Sequence, residues 1–259
     1  MKVGLLFIFG FVVLIFGGPL FVEFSAFDLN LADKLLSPSL SHPMGTDSFG
    51  TDVLAATIYG ARQSLLTSVL SVLISVILAM TIGTLASTTS KWVDNLVMAI
   101  IQVMSSFPSF LMALAIVSFM GQGQSHLIFA FGLTGWVSLA RIVRVEISGH
   151  LNRQFIEATR ASGSRYFRVV VLHLWPQLIP ILVVQIPLML AGVIIGESSL
   201  TFLGLGVSPD LPSWGGLLNQ GRMYLITAPH ITVFPGLTLM ILICGLLLIG
   251  DDLRRKYQR

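Results

Sequence analysis

Six apolar runs, each close to the length that crosses a bilayer as a helix, leave this chain few ways to fold. They are Val3–Val22, Ser64–Leu85, Leu96–Met120, His126–Val145, Leu178–Leu203 and Ile231–Ile249. A membrane-spanning helix needs about 20 mostly apolar residues, and the bilayer core holds no water to satisfy an open backbone. Charged residues make up only 10% of the 259, and the mean hydropathy is +0.88. Soluble domains carry about 25% charged residues. The expected fold class is therefore an all-α polytopic membrane protein with six transmembrane helices.

The first run is longer than the apolar region of a secretory signal, about 7–15 residues, and lacks an A-x-A end, so it is read as a retained helix. The expected organisation is a first transmembrane helix over 1–22, an extracytoplasmic and interfacial segment over 23–63, and a transmembrane core over 64–250. The core contains a cytoplasmic loop at 146–177, and a cytoplasmic tail follows at 251–259. Within the core, Ser105, Ser106 and Pro108 interrupt the third run, and Pro108 and Pro187 are expected to kink the third and fifth helices.

Orientation follows from where the 15 lysines and arginines sit. On one side fall Lys2, Lys91, Arg141, Arg144, Arg153, Arg160, Arg165, Arg168, Arg254, Arg255, Lys256 and Arg259. On the other are Lys34, Arg62 and Arg222. Twelve against three places both termini and the 146–177 loop in the cytoplasm.

Several chemistries find no support. No GxxxxGK[ST] phosphate loop occurs, so any ATP-driven work needs another subunit. Cys244 stands alone, which excludes an internal disulfide. The histidines at 42, 126, 150, 173 and 230 lack metal-ligand spacing. A formal charge of +3 is too small to argue for nucleic acid. No catalytic residue, metal or bound cofactor is expected.

The most cationic stretch is Glu157–Pro176, EATRASGSRYFRVVVLHLWP. It comprises a short helix-forming piece, a break at Gly163, a basic piece ending at His173, and Pro176 placed to open the next helix. Glu157 and Arg160 stand three apart, and Arg160, Ser164 and Arg168 recur every fourth residue on one helix face. Such a face suits either anionic lipid headgroups or a soluble partner.

This stretch resembles the EAA loop of bacterial ATP-binding-cassette (ABC) importer permeases, with Glu157, Ala158, Thr159 in place of the second Ala, Gly163 and Pro176. Three further segments narrow the likeness. His42–Asp47 with Gly50, Asp52 and Tyr59–Leu65 is similar to the HPLGTDxxGRD…YGARxSL segment of dipeptide, oligopeptide and nickel importer permeases, with Thr51 where Arg is usual. Glu197–Gly206 and Pro212–Gly215 resemble ExSLSFLGLG…PxWG. Phe234–Gly236 and Gly250–Arg254 resemble the FPG and GDxLRD segments, with Leu247 where Asn is frequent and Arg255 where Asp is usual. The order of segments looks like the C-type subunit.

The resemblance implies a type I ABC importer permease fold in the bacterial inner membrane. It also implies a sister B-type permease in a heterodimer, two ATPase subunits carrying ATP-Mg, an extracytoplasmic solute-binding protein, and peptides or nickel or metal chelates as cargo. The ATPase-coupling residues it implies are Glu157, Ala158, Arg160, Ala161, Gly163, Arg165, Arg168, His173 and Pro176.

Glu197 is the acidic residue inside an apolar run, where a charge is costly and suggests function. It could touch substrate, anchor a gate, or pair with Arg62 or Arg222. Gln102, Ser105, Ser106 and Gln185 could line a substrate path or bond neighbouring helices. Trp136, Trp175 and Trp214 are expected to anchor at the membrane interface. An ion-driven secondary transporter is the alternative, with Glu197 as its one candidate carboxylate and the EAA-like loop left unexplained. An intramembrane protease would need paired catalytic groups that the runs lack.

Overall fold

The computed structural model describes residues 30–151, 166–208 and 211–257. Seven helices carry the fold: α1 (Val53–Thr88), α2 (Lys91–Ser105), α3 (Ser109–Met120), α4 (Gln124–Leu151), α5 (Ile179–Phe202), α6 (Trp214–Gly221) and α7 (His230–Tyr257). Among the described residues four helical stretches, Val53–Thr88, Gln124–Leu151, Phe167–Phe202 and His230–Tyr257, are long and apolar enough to cross a membrane, and the bent pair α2–α3 makes a fifth if it is taken as one span. The first apolar run lies outside the described residues. Among the described residues the spans are consistent with the six-helix reading.

The second span is the inner part of a longer helix, because α1 starts at Val53 rather than near Ser64. Asp52 caps its first turn, its Oδ1 accepting from the Ala55 amide at 3.0 Å, and the apolar-and-small pattern of 53–63 continues without a breaker. The third span does break where serines and a proline interrupt it: α2 and α3 meet at 83°. Pro108 has no N–H to continue the α2 ladder, and its carbonyl opens α3 by accepting from Leu111 at 2.9 Å. Pro187, by contrast, lies inside the continuous α5.

α1 and α4 form the spine, brought close by small side chains. Ser64, Ser68, Ser75, Ala79 and Gly83 recur along one buried face of α1. A methyl group added at Gly83 would stand 2.7 Å from the Ala140 carbonyl oxygen. Ser75 Oγ donates across the seam to the Gly132 carbonyl at 3.0 Å. Without water to expel from between lipid-soluble helices, this close approach and these hydrogen bonds hold the pair together.

The buried side chains separate along the bundle. At one end, which carries Thr88, Lys91, Leu151 and Leu178, a cluster joins Ala79 and Met80 of α1, Ile101 of α2, Val143 and Ile147 of α4, and Val169, Val170 and Leu174. Nearer the opposite end, a second cluster joins Val72 of α1, Ala113 and Val117 of α3, Phe131 of α4, and Val193 and Leu200 of α5.

Candidate functional site

The loop expected to couple to an ATPase divides between described and undescribed residues. Glu157, Ala158, Arg160, Ala161, Gly163 and Arg165 lie outside the described residues. Arg168, His173 and Pro176 fall on the limb that returns from the loop to α5. This limb is helical throughout but changes pitch: an α turn at Tyr166–Val169, a π segment at Val170–Leu174 and a 3-10 turn at Trp175–Leu178. Pro176 explains the changes, since it removes one amide from the ladder and the neighbouring bonds lengthen and shorten around it. The Trp175 amide reaches back five residues to the Val170 carbonyl.

One face of the limb is fixed inside the bundle. Val169, Val170, Leu174 and Leu178 are buried in the first cluster, and Trp175 Nε1 donates to Thr84 Oγ1 of α1 at 3.1 Å. The opposite face is bare: Phe167, Arg168 and Leu172 are exposed, as is Pro176, and His173 is half-buried. A limb with one face seated and the other open can pass a push from a surface partner into the bundle.

Glu197 is wholly buried, at 0% exposure. Its carboxyl is held by three hydroxyl donors: Ser64 Oγ of α1 at 2.7 Å, Thr201 Oγ1 at 3.2 Å and Ser198 Oγ at 3.3 Å. Among the described residues its hydrogen-bond partners are these hydroxyls, not an arginine. Arg62 is exposed on α1, and the Arg222 guanidinium lies 5.7 Å from the Phe202 ring centre. Thr201 also accepts from the Val207 amide at 3.4 Å. The carboxyl thus ties α1 to the end of α5 and to the turn that follows.

That turn closes against α6. Gly215 packs directly on the Ser198 carbonyl and on Thr201, and Trp214, at 0% exposure, donates its Nε1 proton to the Thr57 carbonyl at 3.0 Å. The expectation of interfacial tryptophans is corrected here for two of the three. Trp214 and Trp136 are buried, because a large ring whose N–H or edge finds a partner fills an interior better than it serves a lipid belt.

The other polar candidates lie elsewhere. Gln102, Ser105 and Ser106 are exposed at the α2–α3 bend, and Gln185 is half-buried on α5. Ser105 Oγ accepts from Arg141 at 3.1 Å, and Ser106 Oγ donates to the Gln102 carbonyl at 3.0 Å. None of the four is brought to Glu197 by a described hydrogen bond. The motif His42–Asp52 forms a compact cap on the bundle end opposite the loop. His42 Nδ1 lies 2.9 Å from Asp52 Oδ2, Asp47 Oδ1 accepts from the Phe49 and Thr51 amides, and His230 Nε2 meets the Thr46 carbonyl at 3.0 Å. Gly45, with φ +75°, sits under the His230 ring where no Cβ fits. A cavity of about 710 Å³ opens beside this cap, lined among others by Asp47, Gln122, Thr201, Asn219 and Gln220.

Residues that sequence reading did not single out include Ser64, Thr201, Asp94 and Arg144. Arg144 grips Asp94 with two nitrogens, Nε to Oδ1 and Nη2 to Oδ2, both at 2.5 Å. Among the described residues no group of three or more His, Cys, Asp or Glu side chains stands together to hold a metal.

Comparison with known proteins agrees with this architecture. Among curated relatives, a dipeptide transport system permease protein of Alkalihalophilus pseudofirmus is 33% identical over 97% of this chain and 83% of its own. A glutathione transport system permease protein of Pectobacterium atrosepticum is 34% identical over 84% of this chain and 72% of its own. A probable peptide ABC transporter permease protein of Sinorhizobium fredii is 38% identical over 86% and 77%. The fold matches a chain from the inward-facing MetNI methionine ABC transporter with a TM-score of 0.60, at 19% identity, over 79% of this chain and 97% of that one. The family model for the binding-protein-dependent transport system inner membrane component matches residues 74–253, from the middle of α1 through α7 and including the loop and the Glu197 joint. With the family model spanning more than half of the chain and relatives 33–38% identical along most of it, this chain belongs to that family as an ABC importer permease.

Proposed function

We propose that the chain is the C-type half of a heterodimeric pore that imports short peptides. The names of its relatives support the cargo class: two of the three described above are peptide permeases, and the third carries glutathione, itself a tripeptide. Nickel or metal chelates remain the second cargo class. As a member of its family the chain works in the inner membrane with an ATPase and a binding protein. Two ATPase subunits carry ATP-Mg, and this chain contributes neither a cofactor site nor a catalytic residue. Both termini and the loop face the cytoplasm, by the twelve-to-three distribution of lysine and arginine.

The observation that carries the reading is the limb Val169–Leu178, seated on α1 and α4 by one face and open on the other. In this mechanism the ATPase subunits close on ATP and press on the open face at Phe167, Arg168 and Leu172, with Glu157, Ala158, Arg160, Ala161, Gly163, Arg165, His173 and Pro176 completing the docking loop. The small residues Ala158 and Ala161 allow close approach, and the arginines make charge-assisted hydrogen bonds at the rim. Movement of the limb shifts α1 and α4, and the pore alternates between its two openings. Glu197 serves as the joint between α1, α5 and α6 in this scheme, while Gln102, Ser105, Ser106 and Gln185 are the candidates for the substrate path.

The test is co-purification of the ATPase subunits, with peptide uptake into vesicles. Gly163→Leu and Glu157→Lys should each lower attachment or separate hydrolysis from uptake, with membrane insertion retained because no span is altered. Normal attachment and normal uptake in both variants would refute the docking assignment.

A further inference from the structure

We infer that Asp94 and Arg144 are positioning residues which make α2 part of the loop-bearing half of the bundle, so that limb motion is delivered to the α2–α3 break as a bend. This inference rests on the coupling role proposed above for the limb.

Three independent observations converge on it. The first is the division of packing. The core contacts of α2, through Val97, Met98, Ile101 and Met104, belong to the cluster that buries Val169, Val170 and Leu174 of the limb. Those of α3, through Phe110, Ala113, Leu114 and Val117, belong to the other cluster, with Val193 and Leu200 of α5. The chain passes from one core cluster to the other within Ser106–Pro108, where the axis turns by 83°.

The second observation is that α2 is fastened to α4 at both ends. The guanidinium of Arg144 takes both carboxylate oxygens of Asp94 in the first turn of α2, and Arg141 donates to Ser105 Oγ in its last. A two-point guanidinium–carboxylate contact fixes orientation as well as distance, which a single point charge does not. Arg144 also stands one residue from Val143 and three from Ile147, both in the cluster that seats the limb. The third is that the joint itself is bare: Ser106, Phe107 and Pro108 are exposed, so no buried contact has to break when the angle changes.

Together these make a lever. The limb, the adjoining part of α4 and α2 move as one body, and the angle at Ser106–Pro108 absorbs the difference from the body that contains α3. Without the Arg144 clamp, α2 keeps its apolar contacts and the Arg141–Ser105 bond, but its first turn loses its fixed orientation on α4, and the bend no longer follows the limb.

The experiment uses the whole importer, with its sister permease and ATPase subunits, in lipid vesicles. In a Cys244→Ser background, spin labels at Lys91→Cys and Met120→Cys report the distance across the joint without nucleotide and after ATP with vanadate. The unmodified joint should change distance on trapping. Asp94→Asn and Arg144→Gln should each shrink that change about twofold or more, and the double variant should be no worse than either alone, because both remove one interaction. ATPase attachment should stay normal. If a neutral variant fails to assemble, Arg144→Lys carries the test: it keeps the charge but loses the two-point contact, and its change should be intermediate. An unaltered change in the single variants or in Arg144→Lys, additive losses in the double variant, or no distance change in the unmodified protein would overturn the inference. Failure of the unmodified importer to take up a labelled dipeptide while the distance still changes would count against the peptide reading alone.

Discussion

Replacing Glu197 separates a structural carboxyl from a working charge. The carboxyl receives three hydroxyl protons, from Ser64, Ser198 and Thr201, in a site with no exposure. Glu197→Leu removes the acceptor and leaves three buried hydroxyls without it. At about 1 kcal/mol net per hydrogen bond the loss is about 3 kcal/mol. Using the average of about 0.6 kcal/mol found between membrane helices, it is about 2 kcal/mol. Either figure lowers the folded-to-unfolded ratio about twentyfold or more. Glu197→Gln keeps the shape and one carbonyl acceptor, and its amide can donate to a hydroxyl that turns around, so it should cost about 1 kcal/mol or less. The assay is the yield of intact complex by size-exclusion chromatography after a heat step, together with vesicle uptake. Leu should lose the complex, while Gln should keep the complex and most of the uptake. Full assembly of the Gln variant with uptake abolished would refute the reasoning, because the charge itself would then be at work.

Other substitutions test the packing and the topology. Gly83→Val should lower the yield of folded protein by about 1–3 kcal/mol of overpacking against the Ala140 carbonyl and Val143, whereas Gly149→Ala, where an added methyl meets no atom within 4 Å, should leave the yield unchanged; both are read by fluorescence size exclusion. Trp214→Phe should lower thermal stability by about 1 kcal/mol through loss of the Nε1 bond to the Thr57 carbonyl, seen as an earlier loss of complex on heating. A reporter fused after Arg259 should be cytoplasmic, and a cysteine at Ser41 should be labelled from outside the cell; labelling of Ser41→Cys from the cytoplasm alone would overturn the topology.

The spans were legible because membrane helices announce themselves by length and hydropathy, and the break at Pro108 because a missing amide can be read from one letter. The start of α1 was not. Residues 53–63 mix apolar and small side chains with Tyr59 and Arg62, and the Asp52 cap and the packing of Gly60 on the Ser213–Trp214 backbone hold them as one helix with the span. The buried tryptophans escaped for a similar reason. Trp214 lies between the fifth and sixth apolar runs, where a lipid belt would suit it equally well, and the Thr57 carbonyl that receives it lies 157 positions away in the chain.

Two carboxylates, Glu197 and Asp94, show where single-residue reading stops. Glu197 and Asp94 are both acidic residues in or beside apolar runs, and charge counting treats them alike. Their surroundings differ. Asp94 is a quarter exposed, near the Lys91 end of α2, where water reaches a guanidinium as well, and it takes Arg144 as its partner. Glu197 is at 0% exposure between α1, α5 and α6, where an arginine would have to give up its own hydration, and three hydroxyls serve instead. Desolvating two charges to form one pair costs more than neutral donors cost, and the balance shifts with depth. Depth depends on the tertiary packing of small residues such as Gly60, Ser64 and Gly215. For the same reason Arg144, an ordinary count in the charge distribution, stands as one half of the clamp on α2.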